Sequence, residues 1–298
     1  MSREEPRSSS AQNHSPTPAA GVGEAAESAA GARPGRITLV GGGPGAEDLM
    51  TVRARDTLAA ADVVLYDRLA PTDDLRAWAP QAQLFDVGKR PGHHRVTQEN
   101  IHSMMIDAAC RGQHVVRFKG GDPFVFGRGC EEVAACRDAG IPVTVVPGLT
   151  SAVAVPAAAG IPVTARGINR AFTVISGHDP LTEEELAGLT SLGGTVVVLM
   201  GVGTLGHTVE GLRRHGLSDD TPVGVVEKGC SPEQRVCLGL LDEILSATAA
   251  QRISSPAVLV IGEVVRLAAD GPGRGEARTE EDAAGVVREA ALQAGALV

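Results

Sequence analysis

The chain has 298 residues, a formal net charge of −9, 43% hydrophobic residues and only 2% aromatics. A packed core is therefore available, built from Val, Leu, Ile and Ala rather than from rings. The acidity argues against a nucleic-acid partner, whose phosphates need a basic face. The five cysteines, Cys110, Cys130, Cys136, Cys230 and Cys237, are odd in number and form no Cys-x-x-Cys pair. Neither a disulfide framework nor a zinc site is indicated, and reduced thiols in the cytoplasm fit the pattern.

Residues 1–35 are rich in Ala, Ser, Pro, Gly and Glu and carry no signal-peptide pattern. Such a segment buries too little apolar surface to offset its ordering entropy, so it is expected to be disordered. Ile37 to Val40 reads as a buried strand entering the run Gly41-Gly42-Gly43-Pro44-Gly45. Asp48 is expected to cap a helix with Leu49, Val52 and Leu58 on its apolar side. Strands follow at Val63–Tyr66 and near Leu84–Val87. Thr97 opens a helix with Ile101, Met104, Met105 and Ala108 in one stripe. A strand at His114–Phe118, a helix from about Glu131 to a stop at Gly140 and a strand at Val143–Val146 complete the first half.

Pro156, Gly160 and Pro162 punctuate residues 150–165, where the boundary is placed. Strands are then expected at Phe172–Ser176, Thr195–Met200, Pro222–Glu227, Arg235–Gly239 and Ala257–Glu263. Helices are expected at Glu183–Leu189, Leu205–His215 and Leu241–Ala249. Alternating strands and helices predict an α/β protein with mostly parallel sheets, made mixed by a hairpin near 222–239. The predicted domains are 36–150 and 151–267, followed by a flexible tail, 268–298. No run approaches the length of apolar residues that a membrane span requires.

Gly41-x-Gly43-x-x-Ala46 after a strand satisfies the dinucleotide pattern, and Asp67 ends the next strand, where a ribose-binding acid sits. An NAD-type oxidoreductase is thus one reading; a plain strand-to-helix turn is another. Pro44 weakens the first, because it removes a backbone N–H from the stretch that would cradle pyrophosphate.

Longer signatures point elsewhere. Val40–Gly45, Tyr66-Asp67-Arg68-Leu69, Val87-Gly88-Lys89-Arg90, the run Lys119–Gly129, Val146–Ala152 and Glu233-Gln234-Arg235-Val236 occur in this order. Together they resemble the tetrapyrrole methyltransferases over residues 36–267. Gly42 departs from a common Ala and Cys130 from a common Gly.

The resemblance implies two α/β domains with an S-adenosyl-L-methionine cleft between them. The signatures are most similar to the branch that methylates uroporphyrinogen III at C2 and C7, yielding precorrin-2 for siroheme and cobalamin. Residues 1–35 are too short for the module fused to some members, so the single-function form is expected. Methyltransferases of later corrin precursors, a distant RNA-modifying relative and a non-catalytic tetrapyrrole carrier remain alternatives.

By the same resemblance, Pro44, Gly120, Gly121, Asp122, Val125, Thr150, Ser151, Met200, Gly229 and Ala257 match the cofactor contacts. Glycines admit close backbone approach, and Met200 and Ala257 offer apolar surface to adenine. Asp67 matches the proton acceptor and Lys89 the proton donor. Capping a loop, or binding a carboxylate, are the plainer roles for these two. The substrate's eight carboxylates call for cations, and Lys89, Arg90, His93, His94, Arg95, Lys119, Arg128 and Arg166 are the candidates. Adjacent His93 and His94 diverge and lack an acidic or thiol partner, so no metal site is expected. The resemblance also implies a homodimer.

Overall fold

The computed structural model describes residues 35–88 and 96–268, and all of these fall within one compact unit. The expectations for residues 1–34, 89–95 and 269–298 lie outside the described residues.

The first sheet uses β1 (Arg36–Gly41), β2 (Val63–Tyr66), β3 (Gln83–Asp86), β4 (His114–Lys119) and β5 (Val143–Val146). Their order is β3-β2-β4-β1-β5, and every pairing is parallel. Both faces are covered, as parallel strands require. On one face, α1 (Val52–Ala59) and α2 (Leu75–Trp78) bury Ala54, Leu58, Leu75 and Trp78 over Val40, Val64, Val116 and Phe118. On the other, α3 (Gln98–Cys110) and α4 (Gly129–Asp138) bury Ile101, Met105, Val133 and Cys136 over Ile37, Leu39, Leu65 and Val115. The predicted α3 stripe forms, with the Thr97 hydroxyl accepting from Asn100 N at 3.2 Å.

The segment after β1 feeds α1 and the segment after β4 feeds α4, and these helices lie on opposite faces. Such divergence between neighbouring strands opens a crevice at their C-terminal ends. Both glycine-rich loops of the sequence emerge there.

The second sheet is mixed. It uses β6 (Phe172–Ser176), β7 (Thr195–Leu199), β8 (Pro222–Glu227), β9 (Arg235–Leu240) and β10 (Ala257–Ile261), in the order β6-β7-β10-β8-β9. Only β6 and β7 are parallel; β8 and β9 form the expected antiparallel pair. Residues of α6 (Glu183–Leu192), α7 (Leu205–Arg214) and α8 (Ile244–Ala250) cover one face. The opposite face is covered in part by α5 (Ser151–Ala158), through Ala152 and Val155.

Two local expectations are corrected. Asp48 caps no α-helix: Glu47–Leu49 is a 3₁₀ turn, and the Thr51 hydroxyl caps α1 by accepting from Ala54 N at 3.1 Å. Val52, expected on the apolar side, is 78% exposed. Residues 150–165, where the boundary is expected, include α5, a helix packed against the second sheet.

Candidate active site

At the crevice the backbone is packed too tightly for side chains. A Cβ on Gly41 would lie 2.5 Å from Gly148 N and 2.7 Å from Gly121 O; one on Gly148 would lie 2.2 Å from Gly121 O. Three loops, following β1, β4 and β5, therefore touch backbone to backbone, which only glycine permits. Gly43 N donates to Gly121 O at 3.2 Å and Gly121 N donates to Gly43 O at 2.6 Å, an isolated antiparallel bridge. Gly121 itself has φ +66, and a Cβ there would meet nothing within 4 Å. Open space thus lies beside the tight backbone cluster at Gly121.

The same bonds remove the dinucleotide reading. Gly42 N donates to Lys119 O at 2.7 Å, and Gly43 N is engaged as above. These amides are taken by the β4 loop rather than presented to a pyrophosphate. No α-helix begins at the loop either, since α1 starts at Val52. A phosphate site of that kind needs both free amides and a helix N-terminus.

Asp67 follows β2 at the rim. Its Oδ1 accepts from Leu69 N (3.1 Å), Ala70 N (3.0 Å) and Gly120 N (3.2 Å), so it caps its own turn and ties that turn to the β4 loop. Its Oδ2 faces Arg117 Nη2 at 3.6 Å. Asp122 links the other two loops: Oδ1 accepts from Phe124 N at 2.8 Å and Oδ2 from Gly148 N at 3.1 Å.

Residues from the second half complete the wall. β7, β10 and β8 are in register so that Leu199 pairs Val258, and Ala257 pairs Glu227. Met200, Ala257 and the Lys228–Gly229 turn thus share one end of that sheet. Gly229 lies against Val155 of α5, and its carbonyl oxygen lies 3.9 Å from where a Gly45 Cβ would stand. Val125, from the β4 loop, packs against the core of the second sheet. Thr150 caps α5, accepting from Ala152 N at 3.3 Å, and Ser151 opens the helix. Met200 is 46% exposed, leaving apolar surface at this end.

The proposed cations separate into three groups. Lys119 is not available to a substrate: it is 4% exposed, and its Nζ straddles Glu132 at 3.2 Å from Oε1 and 3.1 Å from Oε2. Burial, then the neighbouring Arg117 charge, push its ammonium below the usual lysine range, against the pull of Glu132. Arg128 is exposed in a left-handed turn, with Nε and Nη2 engaged by Glu131 at 3.0 and 2.6 Å. Arg166 is exposed between α5 and β6. Lys89, Arg90, His93, His94 and Arg95 lie outside the described residues.

Arg117 and Glu132 were not among the expected site residues. A signal for them exists in the sequence. Arg117 and Lys119 stand two apart in an apolar strand, hence on one face, and a Glu-Glu pair follows in the next helix.

Among the described residues, no group of three or more His, Cys, Asp or Glu could hold a metal ion. No helix among them is long and apolar enough to cross a membrane.

The profile of the family described as Tetrapyrrole (Corrin/Porphyrin) Methylases matches residues 36–245. The S-adenosyl-L-methionine-dependent uroporphyrinogen III methyltransferase of Methanosarcina barkeri is 44% identical over 237 residues, covering 78% of this chain and 93% of that protein. The uroporphyrinogen-III C-methyltransferase of Methanocaldococcus jannaschii is 42% identical, over 78% of this chain and 98% of that one. Among solved structures, uroporphyrin-III C-methyl transferase from Thermus thermophilus complexed with S-adenosyl homocysteine superimposes with a TM-score of 0.65. It is 39% identical and covers 78% of this chain and 99% of its own.

Proposed function

The chain belongs to the tetrapyrrole (corrin/porphyrin) methylases, and from that premise we propose that it transfers methyl groups from S-adenosyl-L-methionine to uroporphyrinogen III. The observation that carries this reading is the crevice itself: a glycine-lined cradle at Gly121, walled by residues of both halves, in a chain alike over nearly its whole described length to relatives that bear this activity. Methylation at C2 and C7, giving precorrin-2, is the specific outcome proposed.

The residues present fit the cofactor. The open space at Gly121 admits it, the exposed Met200 and Ala257 offer apolar contact, and Asp122, Thr150 and Ser151 supply polar groups beside them. Pro44, Gly120, Val125 and Gly229 complete the lining. S-adenosyl-L-methionine supplies an electrophilic methyl on a sulfonium when bound there. The chain must hold the substrate's electron-rich pyrrole carbon in line and keep water out. Proton loss from that carbon needs an acceptor. Asp67 Oδ2 is the proposed acceptor, a reading supported by Oδ1 being committed to three backbone amides. The exposed Arg128 and Arg166 are proposed to meet substrate carboxylates.

Residues 36–150 and 151–267 are taken as the two domains, on the strength of their separate sheets and cores. A homodimer is supported by the exposed apolar side chains Leu69, Phe124, Phe126, Leu149 and Val153. A cytoplasmic location is supported by five free thiols.

Anaerobic incubation with uroporphyrinogen III and S-adenosyl-L-methionine, followed by mass analysis, tests the function. A product with two added methyl groups is expected; its absence overturns the reading. Calorimetry should show binding of S-adenosylhomocysteine and none of NAD(H).

A further inference from the structure

Behind the rim of the crevice lies a buried ion cluster to which the chemistry above gives no task. Val115, Arg117 and Lys119 point to the same face of β4, where Val115 joins an apolar core and the other two carry charge. Glu132 of α4, fully buried, stands between them. Its Oε1 accepts from Arg117 Nε at 3.0 Å and from Gln98 Nε2 at 3.0 Å, and Lys119 Nζ straddles both oxygens. The helix is held in place for this by Gly129, whose Cβ position is only 2.4 Å from Pro123 O.

Stability alone is a poor reason for such a cluster. Apolar residues of similar volume usually serve a core as well as a buried ion pair. What the cluster does provide is a guanidinium held on every side. Arg117 Nη1 donates to Leu65 O (3.3 Å) and Phe118 O (3.1 Å), Nε is held by Glu132, and Nη2 is left facing Asp67 Oδ2 at 3.6 Å. That separation is beyond hydrogen bonding. The fixed cation orients the carboxylate without consuming the lone pairs that would take a proton. Lysine cannot reproduce this, since only the planar guanidinium has donors for four partners in one geometry.

We propose that Arg117, oriented by Glu132 and Lys119, is a positioning residue that sets the direction of Asp67 Oδ2 toward the substrate carbon, an inference resting on the reading of Asp67 as the proton acceptor. Arg117 touches no substrate; it acts through Asp67.

A double-mutant cycle on the full chain tests it, with kcat and both KM values for Asp67→Asn, Arg117→Lys, Arg117→Gln and the combinations. S-adenosylhomocysteine affinity by calorimetry checks that the crevice is intact. Arg117→Gln should lower kcat by about 100-fold and Arg117→Lys by about 10-fold, the scale of a misplaced catalytic group. Both KM values and S-adenosylhomocysteine affinity should stay within about twofold. In the Asp67→Asn background, either Arg117 change should cost less than about twofold more, because residues acting as one unit are not additive. If Asp67→Asn loses turnover but Arg117→Lys lowers kcat by the same factor in both backgrounds, the positioning role is overturned and the acceptor stands. Full kcat in Arg117→Lys overturns it too. Unimpaired turnover in Asp67→Asn sinks the acceptor and the positioning role together. Should Arg117→Gln fail to fold, the Arg117→Lys cycle decides.

Discussion

Replacing Gly121 with alanine separates a binding defect from a folding defect. At φ +66 an L side chain incurs left-handed strain of about 1–2 kcal/mol. Nothing lies within 4 Å of the new Cβ, so no packing clash is added. At about 2–4 °C per kcal/mol for a chain of this size, the melting temperature should fall by roughly 2–8 °C. The methyl would stand in the open space assigned to the cofactor, so S-adenosylhomocysteine should bind at least about tenfold more weakly, or about 1.4 kcal/mol. Gly140 is the control. It has φ +70 and equal open space, but it closes α4 away from the crevice. Gly140→Ala should show the same melting shift with unchanged affinity. Calorimetric titration and thermal melting of both variants are the assays. Wild-type affinity in Gly121→Ala, or equal weakening in Gly140→Ala, would refute the assignment of the cradle. Gly148→Ala marks the other extreme. Its Cβ would lie 2.2 Å from a backbone oxygen, and a loss above about 4 kcal/mol is expected.

Glu132→Gln leaves Arg117 and Lys119 buried without their carboxylate and should cost about 3–5 kcal/mol, read as a lower urea midpoint; an unchanged midpoint would contradict the buried pairing. Cys136 is fully buried, and burial pushes its thiol up from 9.0 to about 11. The folded chain therefore keeps a proton that the unfolded chain releases, so this contribution is complete below pH 9 and is lost as pH rises toward 11. Urea unfolding at pH 8 and 11 should show the wild type losing roughly 2 kcal/mol more than Cys136→Ala; equal slopes would falsify the shift. Thr97→Ala removes the cap of α3 and should lower stability by about 1 kcal/mol while leaving turnover unchanged, both checked on the same preparation.

The strands were legible because their apolar runs are short, rich in β-branched residues and bounded by glycine, proline or a polar residue. β1, β2, β4, β7 and β8 all stand where those runs lie. α5 was not legible, because Ser151–Ala158 is almost wholly small and apolar and contains Pro156. Such a segment shows no polar face, and its helix is set by the Thr150 cap and packing on the second sheet. Asp48 and Thr51 are both capping types three residues apart, and only the backbone decides that the first belongs to a 3₁₀ turn. In the site, Lys119 was misread because adjacency to the Gly120–Asp122 loop outweighed strand parity, which turns its side chain inward with Arg117. The dinucleotide pattern matched because spacing alone does not say where amides go. Here Gly42 N and Gly43 N go to a loop far along the chain.

The distribution of backbone strain gives an independent argument for where the chemistry lies. Among the described residues, the non-glycine residues with positive φ are Phe126, Arg128, Met200, Lys228, Cys230 and Arg252. All but Arg252 stand in segments that leave β4, β7 or β8 at the crevice. Each such conformation costs of order 1 kcal/mol and persists only where surrounding structure dictates it. Around Lys228 that structure is visible: buried Glu227 accepts from Ser254 N at 3.1 Å and pairs with Arg235, pinning the strand end from which the turn springs. The β4 loop is pinned similarly, by Gly129 against Pro123 and by Asp122 on Gly148 N. Two buried carboxylates thus stand behind these segments, Glu132 of α4 on Arg117 and Lys119 of β4, and Glu227 at the end of β8. Glycine at these turns would relieve the strain but would delete Met200 as apolar surface and Arg128 as a cation. The strained residues thus stand on the segments that leave β4, β7 and β8 at the crevice, where the proposed cofactor contacts Met200 and Gly229 also lie.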